Sequence, residues 1–349
     1  MTTDAAGTNP LRIGVVGAGG NTRLHHIPKL QAIAGVEVVA VANRSAASAR
    51  AVAEEFGIPR IAEHWTDVTS APDVDAVVVG TWPDHHARVS IAALEAGKHV
   101  LCEARLARDV AEARAMVAAA DARPDLVAQV VPAPFTLALD ATVRRLIDDG
   151  FLGDLVSIEV VERGGFADRA AARTWRQTTE FSGVNIMSLG IWYEAVLRWV
   201  GPADRVTALG ATTVPQRPAA GGGVEVVDVP DHLDVLAALT GGAHLSMHLS
   251  QATGLGPQNA VHLFGTDGTL RIADGVLSGG RRGDAALAAI DVPPAEAIGW
   301  RVEQEFVGAI RGNERIRRTT FADGLAYMTF TEAVGRSIRD RRTVTLDEL

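Results

Sequence analysis

The chain has 349 residues, 47% of them hydrophobic, with 33 lysines and arginines against 42 aspartates and glutamates for a net charge of -9. That length exceeds what one hydrophobic core usually serves, so two domains are expected, and the acidic balance without a long basic run argues against a nucleic-acid partner and for a small-molecule substrate. One cysteine, Cys102, allows no intrachain disulfide, and "MTTDAAGTNP" at the start lacks the basic and apolar regions of a secretion signal. No apolar run approaches the roughly 20 residues of a membrane span, so a cytoplasmic protein without membrane contact is expected.

From residue 11 short apolar runs alternate with alanine-rich helical stretches. "LRIGVVG" (11–17) reads as a buried strand, followed by a glycine turn and a helix to about Ala34; "VEVVAVAN" (36–43) reads as a second strand, with a helix from Ser45 to Phe56. "VDAVVVGT" (74–81), a helix from about His86 to Ala96, "HVLCE" (99–103), a helix from Asp109 to Ala120 and "LVAQVV" (126–131) continue the series. Strands that are apolar throughout and separated by helices predict a parallel sheet covered on both faces, an α/β domain over 1–131.

Beyond that point the pattern changes. A helix around 139–149 ends at Gly150, and "HLDVLAAL", "AHLSMHLSQ" and "AVHLFGTDGTLRI" alternate in character, predicting an open antiparallel sheet in an α+β domain over 132–349. "RPAAGGG" (217–223) reads as a hairpin or loop, and helices at 300–311 and 322–339 close the chain. The second face of such a sheet needs cover, so a homo-oligomer is expected.

The turn "GVVGAGGNTRLHH" sets Gly14, Gly17, Gly19 and Gly20 directly after a strand and before a helix opened by Asn21 and Thr22. Glycine lets such a turn close tightly and lets backbone approach a pyrophosphate whose charge sits on the helix N-terminus. A strict dinucleotide fingerprint has glycine or alanine where Thr22 stands. At the end of the second strand an acidic residue would bind an NAD ribose; here the residues are Asn43, Arg44 and Ser45. Without a carboxylate, and with a guanidinium able to pair with a 2′-phosphate or stack on adenine, NADP is expected, with NAD as the alternative. The plainer reading makes Ser45 a helix N-cap and Arg44 a solvated side chain.

"VVGAGG", "TWPDHHARVSIAALEAGKHVLCEARLA", "IDDGFLGDL", "TWRQ", "MSLGIW" and "FGTDGTLRI" together resemble, in order and spacing, the Gfo/Idh/MocA family of oxidoreductases. The resemblance implies an N-terminal Rossmann domain, a C-terminal domain on an open antiparallel sheet that often serves as a dimer or tetramer surface, and hydride transfer between a nicotinamide and a sugar, cyclitol or similar polyol. It assigns Gly17, Gly19 and Gly20 to the cofactor phosphates, Thr81 and His86 to the nicotinamide side, Glu103 to the glutamate of a Glu-Lys-Pro motif, and Trp175 and Arg176 to a Trp-Arg pair; Trp82, next to Thr81, is expected to touch the cofactor as well. The bland alternatives are that His86 only caps a helix and that Trp82 and Trp175 only pack.

The departures bear on chemistry. Where the family carries the lysine and proline of its first motif and a D-x-G-x-H-x-x-D pattern as its second, this chain reads Ala104 and Arg105, then Ser188, Gly190, Trp192 and Ala195. An alanine has no proton to give, and an indole N–H does not cycle a proton near neutral pH. Three residues are candidates for the lost roles. Arg105 offers a permanent charge for an alkoxide or a substrate carboxylate; Tyr193 and Glu194 flank the active-site helix turn, and helix phase, which puts Ser188, Trp192 and Ala195 on one face, favours Tyr193. Trp82, Trp175, Trp192 and Tyr193, with polar help from Arg176, Asn185 and Ser188, are expected to line an aromatic substrate pocket, and no metal is expected. The expected function is an NADP-dependent oxidoreductase acting on a sugar, cyclitol or related polyol or ring substrate with a non-standard proton relay. A nicotinamide-containing lyase, hydrolase or isomerase, and a non-catalytic ligand-binding relative, are the other readings.

Overall fold

The computed structural model describes residues 9–349 except Ala220 and Gln258, so the first eight residues and position 220 of the 217–223 loop lie outside the described residues. The chain forms two compact units. One runs through Pro132 and takes in Arg301–Leu325; the other comprises Ala133–Trp300 and Ala326–Leu349. The segment from Arg301, which the sequence reading grouped with the C-terminal region, clusters with the first unit because two buried glutamates of its helix, Glu303 and Glu305, find their hydrogen-bond partners on His26 and Gln129.

The first unit is built on six parallel strands, β1 (Leu11–Val16), β2 (Val36–Ala42), β3 (Arg60–Ile61), β4 (Ala76–Val79), β5 (His99–Cys102) and β6 (Ala128–Val130), in the order β3-β2-β1-β4-β5-β6. Its helices are α1 (Ile27–Gln31), α2 (Ala46–Phe56), α3 (Thr66–Thr69), α4 (Pro83–Glu95) and α5 (Val110–Asp121). Val77, Val78 and Val79 of β4 and Ile13 and Val15 of β1 have no exposed surface, as a sheet covered on both faces requires. β3 is two residues long, too short to leave a periodic signal. Helix α4 starts at Pro83, three residues before the predicted start, because proline's fixed φ and missing N–H suit the first helical position after the extended Trp82. Strand order reverses between β1 and β4, and in doubly wound sheets ligands bind outside the carboxyl ends of strands at such a point.

The second unit carries β7 (Leu155–Arg163), β8 (Ala203–Ala211), the hairpin β9 (Gln216–Pro218) and β10 (Val224–Val226), β11 (His232–Leu239), β12 (His244–Ser250), β13 (Ala260–Gly265), β14 (Gly268–Ala273), β15 (Val276–Arg281), β16 (Ala288–Ala289) and β17 (Val344–Thr345). Helices α6 (Asp140–Asp148), α7 (Thr179–Ser182) and α8 (Leu189–Val200) belong to it, while α9 (Val302–Ile310) lies in the first unit's returning segment and α10 (Phe321–Asp340) is the last α-helix, followed by a 3-10 turn at Leu346–Glu348. Nine strands form one sheet in the order β16-β15-β14-β13-β7-β12-β11-β8-β17. The β7–β12 pair is parallel, so the sheet is mixed; alternation along a strand predicts which face is buried but not the direction of its neighbour.

One face of this sheet is core. Leu233, Val235, Ala237 and Leu239 of β11 are buried, and Ser337 of α10 accepts a hydrogen bond from the Ala208 N–H of β8 at 2.9 Å. The opposite face is open, with Leu209 75% and Leu236 64% exposed. Among the described residues no helix is long and apolar enough to cross a membrane.

Candidate functional site

The glycine turn sits at the switch point of the first unit. Gly17 has φ +84°, and a Cβ there would lie 2.6 Å from the Thr81 nitrogen beyond the end of β4, so only glycine closes the turn. A Cβ on Gly80 would stand 2.1 Å from Thr22 Oγ1 and 2.3 Å from the Gly17 carbonyl. Thr22 is 1% exposed and fills the space beside Gly80; the fingerprint's small residue has moved from the helix to the facing strand end. Gly20 meets nothing within 4 Å, and an open pocket of about 380 Å³ is lined by Ala18, Gly19, Gly20, Arg23, Leu24 and Glu55. Open backbone at Gly20, at the start of a helix, fits a pyrophosphate, with Arg23, Leu24 and Glu55 completing the lining.

The turn is locked from below by a group that sequence reasoning missed. Residues Thr22–His26 form a widened π-turn, with the Ile27 N–H bonded to the Thr22 carbonyl, and this places the His26 ring between two carboxylates. His26 Nδ1 lies 2.7 Å from Glu303 Oε1 and Nε2 lies 2.9 Å from Glu103 Oε1, with His26 and Glu303 fully buried. Burial acts against a charged ring, but hydrogen bonds and charge from the two glutamates outweigh it and raise the His26 pKa to about 9. Burial likewise acts against the Glu103 carboxylate, yet His26, Asn21 Nδ2 and the Ala104 N–H hold it below the usual carboxylate range. The acceptor oxygens of Glu103 are thus engaged within the unit, where they anchor the start of the helix. The second histidine of "HH" was the available signal, because it falls on the inward face of that helix.

At the end of β2, the Asn43 Oδ1 accepts the Ala18 N–H at 2.6 Å and braces the turn. Ser45 is the N-cap of α2, accepting the Ser48 N–H at 3.2 Å. Arg44 is exposed, its guanidinium 4.9 Å from the centre of the Trp82 ring. His86 is enclosed, its Nδ1 2.8 Å from the Arg105 carbonyl and its Nε2 3.0 Å from that of Thr81; burial pushes its pKa down. Its place is to tie together the loops that follow β4 and β5. Arg105 is 7% exposed, and Thr81 Oγ1 is buried without a hydrogen-bond partner.

In the second unit the expected helix face is present but not its expected acid. Ser188 and Trp192 do share a face, and both donate to one carboxylate oxygen: Glu162 Oε2 accepts from Ser188 Oγ at 2.7 Å and from the Trp192 indole N–H. Glu162 lies at the end of β7 on the same side as buried Ile158 and Val160, so the strand's alternation carries a carboxylate to the face where the core would continue. Among the described residues its Oε1 has no hydrogen bond. Phe135 stands with its ring 4.8 Å from that of Trp192.

Tyr193 and Glu194 point elsewhere, which corrects their candidacy as proton donor or base; helix phase favours Tyr193 and already turns Glu194 further away. Tyr193 has no exposed surface, stacks on Phe330 with ring centroids 3.6 Å apart, and its hydroxyl accepts the Ala203 N–H at 2.8 Å; burial raises its pKa to about 12. Glu194 is 3% exposed, accepts the Ala133 N–H at 3.0 Å and pairs with Arg198 at 2.5 Å. Both serve the core. Asn185 is buried too, donating to the Ser182 carbonyl at 2.7 Å. Trp175 is half-buried in a short 3-10 turn with the exposed Arg176 guanidinium 4.2 Å from its ring centre, so the pair stacks on itself.

A glycine cradle at the switch point of a doubly wound parallel sheet, followed by a unit on a large mixed sheet, defines a nucleotide-binding protein with an appended second domain. A family model described as "Oxidoreductase family, NAD-binding Rossmann fold" matches residues 11–130, and the family's C-terminal domain model matches residues 141–271. The chain belongs to the Gfo/Idh/MocA oxidoreductase family. It is 28% identical to trans-1,2-dihydrobenzene-1,2-diol dehydrogenase of Bos taurus over 269 residues, 76% of this chain and 74% of that one. It is 26% identical to levoglucosan dehydrogenase of Pseudarthrobacter phenanthrenivorans over 291 residues, 74% and 73% of the two chains. A structure of levoglucosan dehydrogenase in complex with NADH and L-sorbose has the same fold, with a TM-score of 0.84 and 23% identity over 96% of this chain and 98% of that chain.

Proposed function

We propose that the protein is a cytoplasmic NADP-dependent dehydrogenase of a sugar or related polyol, with Glu162 as the proton acceptor. The glycine cradle at the β1–β4 switch point carries this reading, because it leaves backbone open where a dinucleotide's pyrophosphate would lie. Gly17, Gly19, Gly20 and the first residues of the helix would hold the phosphates, and a bound nicotinamide supplies the hydride acceptor. The preference for NADP rests on residues 43–45, which present no carboxylate to a ribose, and on the exposed Arg44, whose stacking on Trp82 keeps a cation beside the end of β2. Relatives named as levoglucosan and dihydrodiol dehydrogenases support a ring substrate bearing hydroxyl groups.

Oxidation of an alcohol releases a proton as well as a hydride. Lysine is absent at position 104, and Trp192 replaces the histidine of the family's second motif. Glu162 is the group left to accept the proton: Ser188 and Trp192 occupy one oxygen and leave the other for a substrate hydroxyl. Arg105, buried in the loop after β5, is proposed to supply positive charge to an alkoxide or a substrate carboxylate.

The test is NADPH formation with levoglucosan, myo-inositol and L-sorbose. Conversion without net change in NADPH would move the protein to a lyase or isomerase class, and binding without conversion to a non-catalytic one. In calorimetric titration Arg44→Ala is expected to weaken NADP binding by about 1–3 kcal/mol, the worth of one charged hydrogen bond; unchanged affinity would remove the argument for NADP. The open sheet face is proposed to pair with a second copy through Leu209 and Leu236. Light scattering should give a dimer or larger at micromolar concentration, and Leu236→Glu should shift it toward the monomer.

A further inference from the structure

Strands β11 and β12 gather three metal-ligating side chains on the open face of the second unit's sheet. Alternation sets His232 and Asp234 on one side of β11, and the antiparallel register puts Asp234 directly opposite His248 and His232 opposite Ser250. Asp234 Oδ1 lies 2.7 Å from His248 Nδ1, and Asp234 Oδ2 lies 3.5 Å from His232 Nε2. One donor atom from each of the three falls within 4.8 Å of the other two. The side chains of His232, Asp234 and His248 are 29%, 54% and 28% exposed, so an ion can reach them while the sheet supports them from below.

We propose that His232, Asp234 and His248 form a binding site for a divalent transition-metal ion of the zinc class. Two imidazole nitrogens and one carboxylate oxygen suit zinc, cobalt or nickel, whereas magnesium and calcium take oxygen donors. Tetrahedral zinc with ligands at about 2.1 Å holds them about 3.4 Å apart. The separations of 2.7 and 3.5 Å run to the two different oxygens of Asp234, which thus turns one oxygen toward each ring, and with all three donors within 4.8 Å small side-chain rotations bring them to that spacing. His232 is also oriented as a ligand would be: Ser250 Oγ sits 3.1 Å from its Nδ1, which holds the ring with Nε2 toward Asp234. An ion here clips β11 to β12 and leaves a fourth coordination position on the open face that Leu209 and Leu236 share, where water or a group from the second copy would complete the set. The spacing His-x-Asp with a histidine fourteen residues after the aspartate is no sequence signature; pairing of the strands creates the set.

Calorimetric titration of ZnCl2 into the full chain, stripped beforehand with a chelator, tests the site, with CoCl2 as a second probe whose visible absorption reports the donor set. One ion per chain is expected. Asp234→Asn and His248→Ala should each weaken zinc binding at least about tenfold, since loss of an outer-shell partner alone costs that much, and Ser250→Ala should weaken it less. His244→Ala, on the same strand, should leave affinity unchanged. Circular dichroism checks the fold of each variant; if His248→Ala perturbs it, Asp234→Asn, which keeps the side-chain shape, decides the matter. Failure of the wild-type chain to bind either ion, or equal affinity in wild type and Asp234→Asn, overturns the proposal.

Discussion

Replacing Glu162 with glutamine is expected to cut turnover by about two to four orders of magnitude, the range by which a positioned acid or base accelerates proton transfer, while leaving affinity for the nicotinamide cofactor unchanged. Glutamine keeps the side chain's shape and still accepts from Ser188 and Trp192, but its free end offers an NH2 where the carboxylate offered an acceptor. Steady-state rates on whichever polyol the wild type oxidises, set beside a cofactor titration, separate loss of chemistry from loss of fold. Ser188→Ala removes one donor and leaves the carboxylate in place, so its loss should be smaller. Ala104→Lys should not raise activity, because its partners in the family's second motif are replaced by Ser188, Trp192 and Ala195. A fully active Glu162→Gln variant would end the assignment and return attention to Arg105.

The parts of this molecule that were legible in the sequence are those set by local repetition. Apolar runs such as 76–79 and the glycines of the turn gave the parallel sheet and the cradle, because a strand buried on both faces and a backbone at positive φ each restrict residue type in place. Helix phase correctly put Ser188 and Trp192 on one face, and it failed for Tyr193, whose flank is covered by Phe330 from a helix more than a hundred residues later. Groups that depend on distant chain segments meeting were not legible. His26 meets Glu303, 277 positions away, and Glu162 meets Trp192 across the gap between a strand and a helix. A residual signal existed for Glu162: in "SIEVVER" the inward positions run Ile158, Val160, Glu162, and a carboxylate at the end of a buried row needs a partner. Thr22 was read as a weakened fingerprint when its compensation lay at Gly80.

The stability of the chain should fall between about pH 6.5 and about pH 9, and His26 is the reason. Its folded-state pKa, about 9, stands above the ordinary histidine value because Glu103 and Glu303 hold the imidazolium despite its burial. A group whose pKa is raised on folding adds stability that is complete below its unfolded value, near 6.5, and is lost as pH climbs through the folded value. The gap corresponds to about 3 kcal/mol, to be read as a drop in urea midpoint between pH 6 and pH 9.5. Glu103, held low, limits the other side, since its contribution disappears as pH falls through its depressed pKa. His26→Gln should remove the alkaline slope and cost about 3–5 kcal/mol at pH 7, because it strands two carboxylates around a buried position. Affinity for the nicotinamide cofactor should decline over the same window in the wild type: Glu103 is shared by His26 and Asn21, and loss of the imidazolium loosens the π-turn that follows the glycine turn. A urea midpoint that stays level from pH 6 to pH 9.5 would mean that the ring is neutral in the native protein and would overturn this account.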